Sequence, residues 1–446
     1  MRVLRNPNHN TMKRNNLILC LGAVALSVLF IAQSTAAPPP HRGRSAKVLH
    51  EFTLPPYSLS NWGYTAEELA AAEPYTLTDR PAIGSGLQHL FGPYFVSVTD
   101  RGPSSKPADK RFFPLPNFSP TIVVFKAIHD EIVPEGFLPL VVSKGGPGVT
   151  GLPNNKTNDS VPFYPPATPL DYNPNGLDIE DLRLLPCGKF LLVEEYAPSV
   201  VVADLCGVVL KRYIPSSKTL PGAAYPVSST LPAILDQVRA NRGMESIAVS
   251  PDGRTAYAVM QSPLGPTKNA AYLTSRVVRL LRLDVRNPLN IQVTGQFLVL
   301  LSPVSDYPAG NTPDVLKFSS AAWVAHDKLL LIERTDEIGK GGARLILADL
   351  TRATDVSAMP EATTLALEDV NTDLAVLGIT PAATSTVLYF NDELPEITDF
   401  KLEGLSILNA NEVAISNDND FGVAMDPEAK SKMWIIRLKN QLPLGR

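Results

Sequence analysis

Three carboxylates are predicted to meet at one end of a hairpin formed by residues 401–420. Glu403 begins a short apolar run, a turn follows at residues 409–411, and a second alternating run ends at Asp418 and Asp420. The start of one antiparallel strand lies beside the end of the next, so Glu403 should lie close to both aspartates. Clustered carboxylates without cysteine or histidine are typical ligands of hard cations, and Ca²⁺ is the expected ion.

The same order of run, turn, run and polar corner recurs along the chain. The copies are at residues 84–103, 177–196, 242–263, 319–336 and 401–420. The first run carries an acid in three of the five copies, and the copy at residues 319–336 lacks it. The residues predicted to bind the metal are therefore Glu180, Glu245, Glu403, Asp418, Asp420 and Asp100. The predicted catalytic set comes from the same layer of the repeat and consists of Arg101, Arg242, Arg334, Glu194 and Glu195.

The arginines of this set could bind an anionic substrate through paired hydrogen bonds, or they could neutralise the acids. Acids beside turns can also cap loops and pair with these arginines without any catalytic role. Both interpretations remain open at the level of the sequence.

Strands must position these residues, because the chain has 41 prolines and 28 glycines and few stretches of helical periodicity. Repeated antiparallel units predict an all-β fold, a β-propeller of about five to seven four-stranded blades. The isolated strand predicted at residues 46–54 would close the ring by pairing with the last strand at residues 432–438. A sixth copy could lie between residues 86 and 180 or between 363 and 390, and a two-sheet sandwich is the competing fold.

Composition and motifs exclude several classes of function. The formal charge of −4, from 40 basic and 44 acidic residues, gives no polybasic surface for a nucleic acid. GxSxG, HExxH and P-loop motifs are absent from the sequence. Of six histidines, His89 is placed near the predicted channel, where a core or surface role is favoured over general-base catalysis.

The N-terminus has the pattern of a signal peptide, with Lys13 and Arg14 before an apolar run and small residues. We predict a signal peptide at 1–37, a proline-rich lead with the closing strand at 38–83, and a propeller domain at 84–440. An uncleaved anchor is the alternative. The mature chain would be a secreted or periplasmic monomer without a stable membrane span.

Export makes two covalent modifications plausible. After signal cleavage Cys187 and Cys206 remain, both at turns of one predicted hairpin, and a disulfide is expected between them; two buried thiols are the alternative. Asn117, Asn155 and Asn158 are acceptor sites for N-linked glycans in a eukaryotic host.

Several motifs together resemble the phytase-like family, exported proteins with a domain described as "esterase-like activity of phytase". The motifs are Asp100-Arg-Gly-Pro, Glu194-Glu-Tyr-Ala-Pro-Ser, Asn241-Arg-Gly-Met-Glu-Ser-Ile-Ala-Val-Ser-Pro-Asp-Gly, Leu331-Ile-Glu-Arg, Lys401-Leu-Glu-Gly-Leu and Asn417-Asp-Asn-Asp-Phe-Gly. The resemblance implies a propeller that hydrolyses phosphate or other esters. Asp181 and Ser246 depart from it, since the family usually has Gly after the acid.

The expected function is therefore metal-assisted hydrolysis of a small anionic ester, with calcium activating a bound water. One alternative is a non-catalytic propeller that binds a carbohydrate, a peptide or a surface partner. Another is a calcium-dependent lactonase-type hydrolase.

Overall fold

The computed structural model describes residues 45–106, 110–154, 161–266, 268–335, 340–422 and 428–445. The predicted signal peptide and the acceptor residues Asn155 and Asn158 lie outside the described residues. Asn117 is described and lies exposed in a turn. The fold is all-β, as predicted.

Eight strands precede the second repeat copy: β1 (Lys47–Thr53), β2 (Leu87–Phe91), β3 (Tyr94–Val98), β4 (Lys110–Phe112), β5 (Thr121–Ile128), β6 (Glu131–Pro139), β7 (Val161–Tyr164) and β8 (Thr168–Pro169). Strands β2, β3, β5 and β6 pair antiparallel in this order and form one half of an eight-stranded sheet; we call this half unit 1. Thr53 of β1 pairs in parallel with Glu131 of β6 and connects the two halves. Strands β4, β7 and β8 form a separate small sheet. The insertion between residues 86 and 180 is therefore not a further four-stranded copy in its described part.

The next nine strands form two sheets: β9 (Ile179–Leu184), β10 (Lys189–Glu194), β11 (Ser199–Asp204), β12 (Val209–Pro215), β13 (Val227–Leu231), β14 (Met244–Val249), β15 (Thr255–Met260), β16 (Val277–Asp284) and β17 (Gln292–Leu300). Unit 2 consists of the antiparallel strands β9 to β12, with β13 added in parallel at its edge. Unit 3 consists of β14 to β17.

The last seven strands are β18 (Lys317–Ala325), β19 (Lys328–Thr335), β20 (Gly342–Asp349), β21 (Ala383–Tyr389), β22 (Leu402–Asn409), β23 (Glu412–Asn417) and β24 (Lys432–Arg437). Unit 4 consists of β18 to β21. Unit 5 consists of β22, β23 and β24, and β1 pairs antiparallel with β24 as its fourth strand. The pairing extends from Lys47 opposite Arg437 to Thr53 opposite Lys432.

Helices are few and short. The α-helices are α1 (Ala66–Ala72), α2 (Ala270–Leu273) and α3 (Phe390–Glu393). A capping box of Thr65 and Glu68 begins α1. The 3-10 helices span Leu59–Trp62, Ala233–Gln237, Val304–Asp306, Pro313–Val315, Pro360–Thr363, Leu365–Leu367 and Asp420–Gly422. Nowhere in the described ranges does a helix have the length and apolarity to cross a bilayer.

The core lies between neighbouring units, because the middle strands are apolar on both faces. In β10, Phe190 and Leu192 pack in a cluster shared with β3 and β5 of unit 1. Leu191 and Val193 point the other way and pack in a cluster shared with unit 3. A strand covered on both sides reads as a continuous apolar run, which is what the sequence shows here.

The first strand of each unit contacts the first strands of its neighbours. β2 contacts β9, β9 contacts β14, β14 contacts β18, β18 contacts β22, and β22 contacts β2. This cyclic order differs from the face-to-face order of a two-sheet sandwich and is that of a β-propeller-like fold. Residues 363–390 contribute turns and strand β21 of unit 4 in place of a separate copy.

The disulfide prediction was wrong: Cys187 and Cys206 are free thiols. The two residues lie in the turns of different hairpins, β9–β10 and β11–β12, and each turn closes on itself. Gly188 N donates to Leu185 O at 2.9 Å, and Gly207 N donates to Asp204 O at 3.0 Å. The hairpin register thus places both turns at one end of unit 2 without bringing the sulfur atoms together.

Candidate functional site

A β-bulge recurs at the same position in the first strands of units 2 to 5. The shifts in pairing leave one residue of each strand out of register, and these residues are Glu180, Glu245, Ser319 and Glu403. A bulge bends a strand and redirects the extra side chain. The repeated bulge therefore gives three of the predicted metal ligands a common position near the start of the first strand.

The glycine after the acid allows first strands to approach closely. A Cβ at Gly404 would lie 2.1 Å from Ser416 Oγ and 2.7 Å from Leu87 Cβ. At the matching position of unit 2, Asp181 replaces glycine and uses its side chain: Oδ2 accepts a hydrogen bond of 3.0 Å from Ile247 N of unit 3. The departure from the family pattern thus connects two units.

A second set of side chains lies at the end of the second strand of each unit or directly after it, and it continues the layer formed by the bulges. Its members are Asp100, Glu195, Gln261, Arg334 and Asp418. Together the two sets surround the end of the central channel, which we call the mouth.

Three carboxylates at the mouth lie close enough to share one ion. Oxygen atoms of Asp178, Glu180 and Glu195 lie within 4.8 Å of one another, and all three residues are buried. Arg101 Nη1 lies 2.6 Å from Asp178 Oδ2, and Arg101 Nη2 lies 3.1 Å from Glu195 Oε2. We call these three acids the triad.

The triad has an excess of negative charge. Burial, followed by the charges of Asp178 and Glu245, raises the pKa of Glu180 well above its ordinary value. Burial also raises the pKa of Asp178, against the opposing charge of Arg101. Among the described residues none donates a hydrogen bond to Glu180, and Glu195 Oε1 is buried without a hydrogen-bond partner. Oxygen atoms in this arrangement fit a hard cation such as Ca²⁺.

The acids of unit 5, which the sequence assigns to the metal, are held by cationic side chains. Lys401 Nζ lies 2.5 Å from Asp418 Oδ2 and also binds the exposed Asp420. Arg334 Nη2 pairs with Glu403 Oε1. Burial alone would raise the pKa of Asp418, but the charge and hydrogen bond of Lys401 hold it below the ordinary value.

Glu245 and Asp100 lie at the mouth with neutral hydrogen-bond donors. Gln261 Nε2 donates to Glu245 Oε2 at 2.5 Å, and burial and the charge of Glu195 raise the pKa of Glu245 to about 7. Gly102 N donates to Asp100 Oδ1 at 2.7 Å, and burial and the charge of Asp418 raise the pKa of Asp100 to about 7. Five of the six predicted metal ligands thus have hydrogen-bond donors or counter-ions within the protein, and their role as metal ligands stays a prediction. Only Glu180 belongs to the triad.

Glu194 and Arg242, two further members of the predicted catalytic set, contact residues outside the triad, as Arg334 does through Glu403. Glu194 points into unit 2, where it pairs with Arg212 and accepts hydrogen bonds from Ser199 Oγ and Tyr196 N. This pairing makes Glu194 a residue that holds its corner together. Arg242 donates to Ser262 Oγ at 3.4 Å. His89 binds the carbonyl of its own hairpin turn, Gly92 O, at 2.9 Å, which agrees with the non-catalytic role favoured for it.

Sequence reasoning missed Asp178, Lys401 and Gln261. The signal for Asp178 was its place two residues before Glu180, since Lys401 stands two residues before Glu403 in the same repeat. An aligned repeat would therefore have shown a third position in the layer. That position is Asp178 in unit 2, Lys317 in unit 4 and Lys401 in unit 5.

Arg183 fills the channel below the triad. Its guanidinium donates to Leu87 O of unit 1 at 3.4 Å, to Leu405 O of unit 5 at 3.4 Å and to Ala321 O of unit 4. Its own charge is balanced by Asp181 Oδ1 at 2.6 Å. Arg183 therefore closes the channel between these first strands and forms the floor of the mouth.

The family model for "Phytase-like: Esterase-like activity of phytase" matches residues 84–421. The chain belongs to the phytase-like family. No curated protein matches the chain. The phytase-like match covers all five first strands and every member of the triad.

Solved structures align with most of the chain at low sequence identity and low TM-score. An α-L-arabinofuranosidase from Podospora anserina in complex with cellotriose has a TM-score of 0.40 at 11% identity, covering 89% of this chain and 98% of that one. A structure of the GH130 family of mannoside phosphorylases and glycoside hydrolases has a TM-score of 0.37 at 9% identity, covering 91% and 95%. An aldose sugar dehydrogenase from Streptomyces coelicolor has a TM-score of 0.36 at 11% identity, covering 90% and 100%. These values say nothing about the activity of the phytase-like chain.

Proposed function

We propose that this phytase-like chain is an exported, metal-assisted hydrolase of phosphoesters or other esters, and that its reaction takes place at the mouth. The observation that carries the proposal is the triad, in which oxygen atoms of three buried carboxylates lie within 4.8 Å of one another. A buried acidic cluster in a member of this family is the feature that a metal-assisted hydrolase requires.

Charge supports a divalent ion at the triad. When all three carboxylates are ionised, as in a metal-bound site, they carry three negative charges, and Arg101 supplies one positive charge within salt-bridge distance. Carboxylate oxygens without sulfur or nitrogen ligands favour Ca²⁺ over transition metals. Asp178, Glu180 and Glu195 would hold the ion, and Asp418 and Glu403 are assigned to Lys401 and Arg334.

A cation bound there would polarise an ester oxygen and lower the pKa of a water molecule. The chain's own residues do the rest. Arg101 fixes the positions of Asp178 and Glu195 through its two nitrogen atoms. Glu245, held by Gln261, is placed to accept or return a proton beside the triad. Arg183 closes the floor, so that substrate enters from one side.

We further propose the architecture and location that this activity needs. The five described units form a closed five-bladed ring in which β1 joins the first and last parts of the chain. The catalytic domain spans residues 84–440, residues 38–83 form the lead, and residues 1–37 direct export as a signal peptide. The mature protein acts as a monomer on a small anionic ester.

The experiment is hydrolysis of a panel of chromogenic phosphate esters, carboxylic esters and lactones, with Ca²⁺ and after chelation. Turnover that chelation removes and calcium restores supports the proposal, and the preferred ester identifies the reaction, including the lactonase alternative. Glu180→Gln should abolish the calcium-dependent part. Glu73→Gln, at an exposed residue after α1, is the matched control. No turnover by folded protein would favour a non-catalytic binding propeller.

A further inference from the structure

The arginines predicted to bind an anion differ in whether a carboxylate pairs with them. Arg101 and Arg334 pair with carboxylates, so their charge is already used within the protein. Arg242 instead contacts a serine hydroxyl. A guanidinium without a carboxylate beside a catalytic mouth is a candidate to bind part of a substrate.

Arg111, in strand β4 of the small sheet, is a second guanidinium of this kind. Its Nη1 donates to Ser104 Oγ at 3.2 Å and its Nη2 donates to Asn241 Oδ1 at 2.8 Å. Both acceptors are neutral, and within the described part of the chain Arg111 forms no salt bridge. The charges of Arg101, Asp178 and Glu195 all act on Arg111, which places it beside the triad and the arginine that pairs with it.

Asn241 connects the two arginines. It holds Arg111 with its side chain, and its backbone, at a left-handed φ of 56°, leads directly into Arg242. Arg239 lies behind them and donates to Gly265 O at 3.2 Å. Burial and then the charge of Arg242 lower the pKa of Arg239 to about 10. Three guanidinium groups therefore lie on this side of the mouth, and within the described ranges none of them forms a salt bridge.

We propose that Arg111 and Arg242 form an anion subsite on the rim of the mouth, which binds a tetrahedral oxyanion such as the phosphate group of an ester. The inference rests on the proposed function for the ester, and it names the anionic part of the substrate. Arg111 and Arg242 are half-buried, so solvent and a ligand can reach them. Two planar guanidinium groups with neutral partners match the several acceptor oxygens of a phosphate.

The direct test is calorimetric titration of metal-free protein with inorganic phosphate. Arg111→Gln and Arg242→Gln should each weaken binding by about tenfold to about a hundredfold, the effect of losing a hydrogen-bonded charge. Arg242→Lys should bind phosphate more tightly than Arg242→Gln but less tightly than the wild type, because lysine keeps the positive charge and lacks the paired donors of a guanidinium. The matched control is Arg254→Gln, at the other end of unit 3, where an exposed arginine pairs with Asp252 at 3.6 Å. It should bind phosphate like the wild type.

Kinetics separate this inference from the proposed function. If the protein is active, both Gln variants should raise KM for p-nitrophenyl phosphate and leave KM for the uncharged p-nitrophenyl acetate unchanged. If it is inactive on every ester, the phosphate titration still decides the subsite. The inference is overturned if wild-type protein binds no phosphate, if both variants bind it normally, or if KM rises equally for the two esters. Circular dichroism and thermal melting establish that each variant is folded.

Discussion

Arg101 of unit 1 lies 2.6 Å from Asp178 of unit 2, and this buried contact crosses the boundary between two sheets. The backbone of Arg101 also contacts Asp178, because Arg101 N donates a hydrogen bond to Asp178 Oδ1 at 3.0 Å. The same guanidinium reaches Glu195, so that one residue of unit 1 positions two members of the triad. The candidate site is thus assembled only when the neighbouring units pack together.

Replacing Arg101 with Gln should destabilise the protein strongly. The variant leaves two buried carboxylates without their counter-charge, which costs about 3–5 kcal/mol in comparable buried pairs. Urea unfolding of metal-free protein measures the loss. Saturating Ca²⁺ should return part of it, because the ion replaces the missing positive charge. A loss of stability that calcium does not reduce would contradict a cation site at the triad.

Replacing Glu180 with Gln should have the opposite effect on metal-free protein. Glu180 faces other acids and has no described hydrogen-bond donor, so a neutral isostere removes repulsion. We expect a gain on the order of 1 kcal/mol in the free energy of unfolding, since neutral replacements of buried charged groups are often stabilising. The variant should also lose the stabilisation that Ca²⁺ gives the wild type. Equal calcium-induced shifts in melting temperature in both proteins would exclude Glu180 as a ligand.

Replacing Arg183 with Met should lower the free energy of unfolding and leave the triad unchanged. The guanidinium donates to carbonyls of three other units, and its removal takes a donor from each of them and leaves the buried Asp181 without its counter-charge. A cost of about 3 kcal/mol or more is expected. Calcium affinity should change little, which separates a channel floor from a binding residue. Arg286→Met, at an exposed arginine that pairs with Asp284 in its own turn, is the control and should leave stability nearly unchanged.

The sequence predicted the repeat and the layer of charged residues, because both depend on local order along the chain. Strand pairing in hairpins follows from adjacency, so the placement of Glu180, Glu245 and Glu403 at equivalent positions could be read directly. The pairing of particular acids with particular cations could not be predicted from the sequence. Arg101 and Asp178 come from different units, and their contact depends on how the sheets pack. Glu194 shows the same limit, since its partner Arg212 lies on another strand of unit 2.

Cys187 and Cys206 show a second limit. Pairing of the strands that precede and follow them was read correctly, with Lys189 opposite Asp204. The residues beyond the paired ends belong to separate turns, and their direction is set by hydrogen bonds within each turn. Register along a sheet therefore does not predict contacts beyond its edge.

Glu333 should give the stability of the protein a pH dependence of unusual sign. Burial raises its pKa, although Ser302 N and the Tyr307 hydroxyl each donate to it at 2.7 Å. The folded state therefore keeps a proton that the unfolded state has released, and stability falls as pH rises above the ordinary glutamate range. Glu333→Gln cannot titrate, so its advantage over the wild type in urea unfolding should grow as pH rises above the ordinary glutamate range. Asp349 provides the opposite case, because Lys328 and Thr351 lower its pKa to about 2. Its contribution is present at neutral pH and is lost as pH falls toward that value, so Asp349→Asn should lose stability relative to the wild type only above the acid range. If the difference between Glu333→Gln and the wild type does not change with pH, the carboxylate is ionised throughout and the raised pKa is wrong.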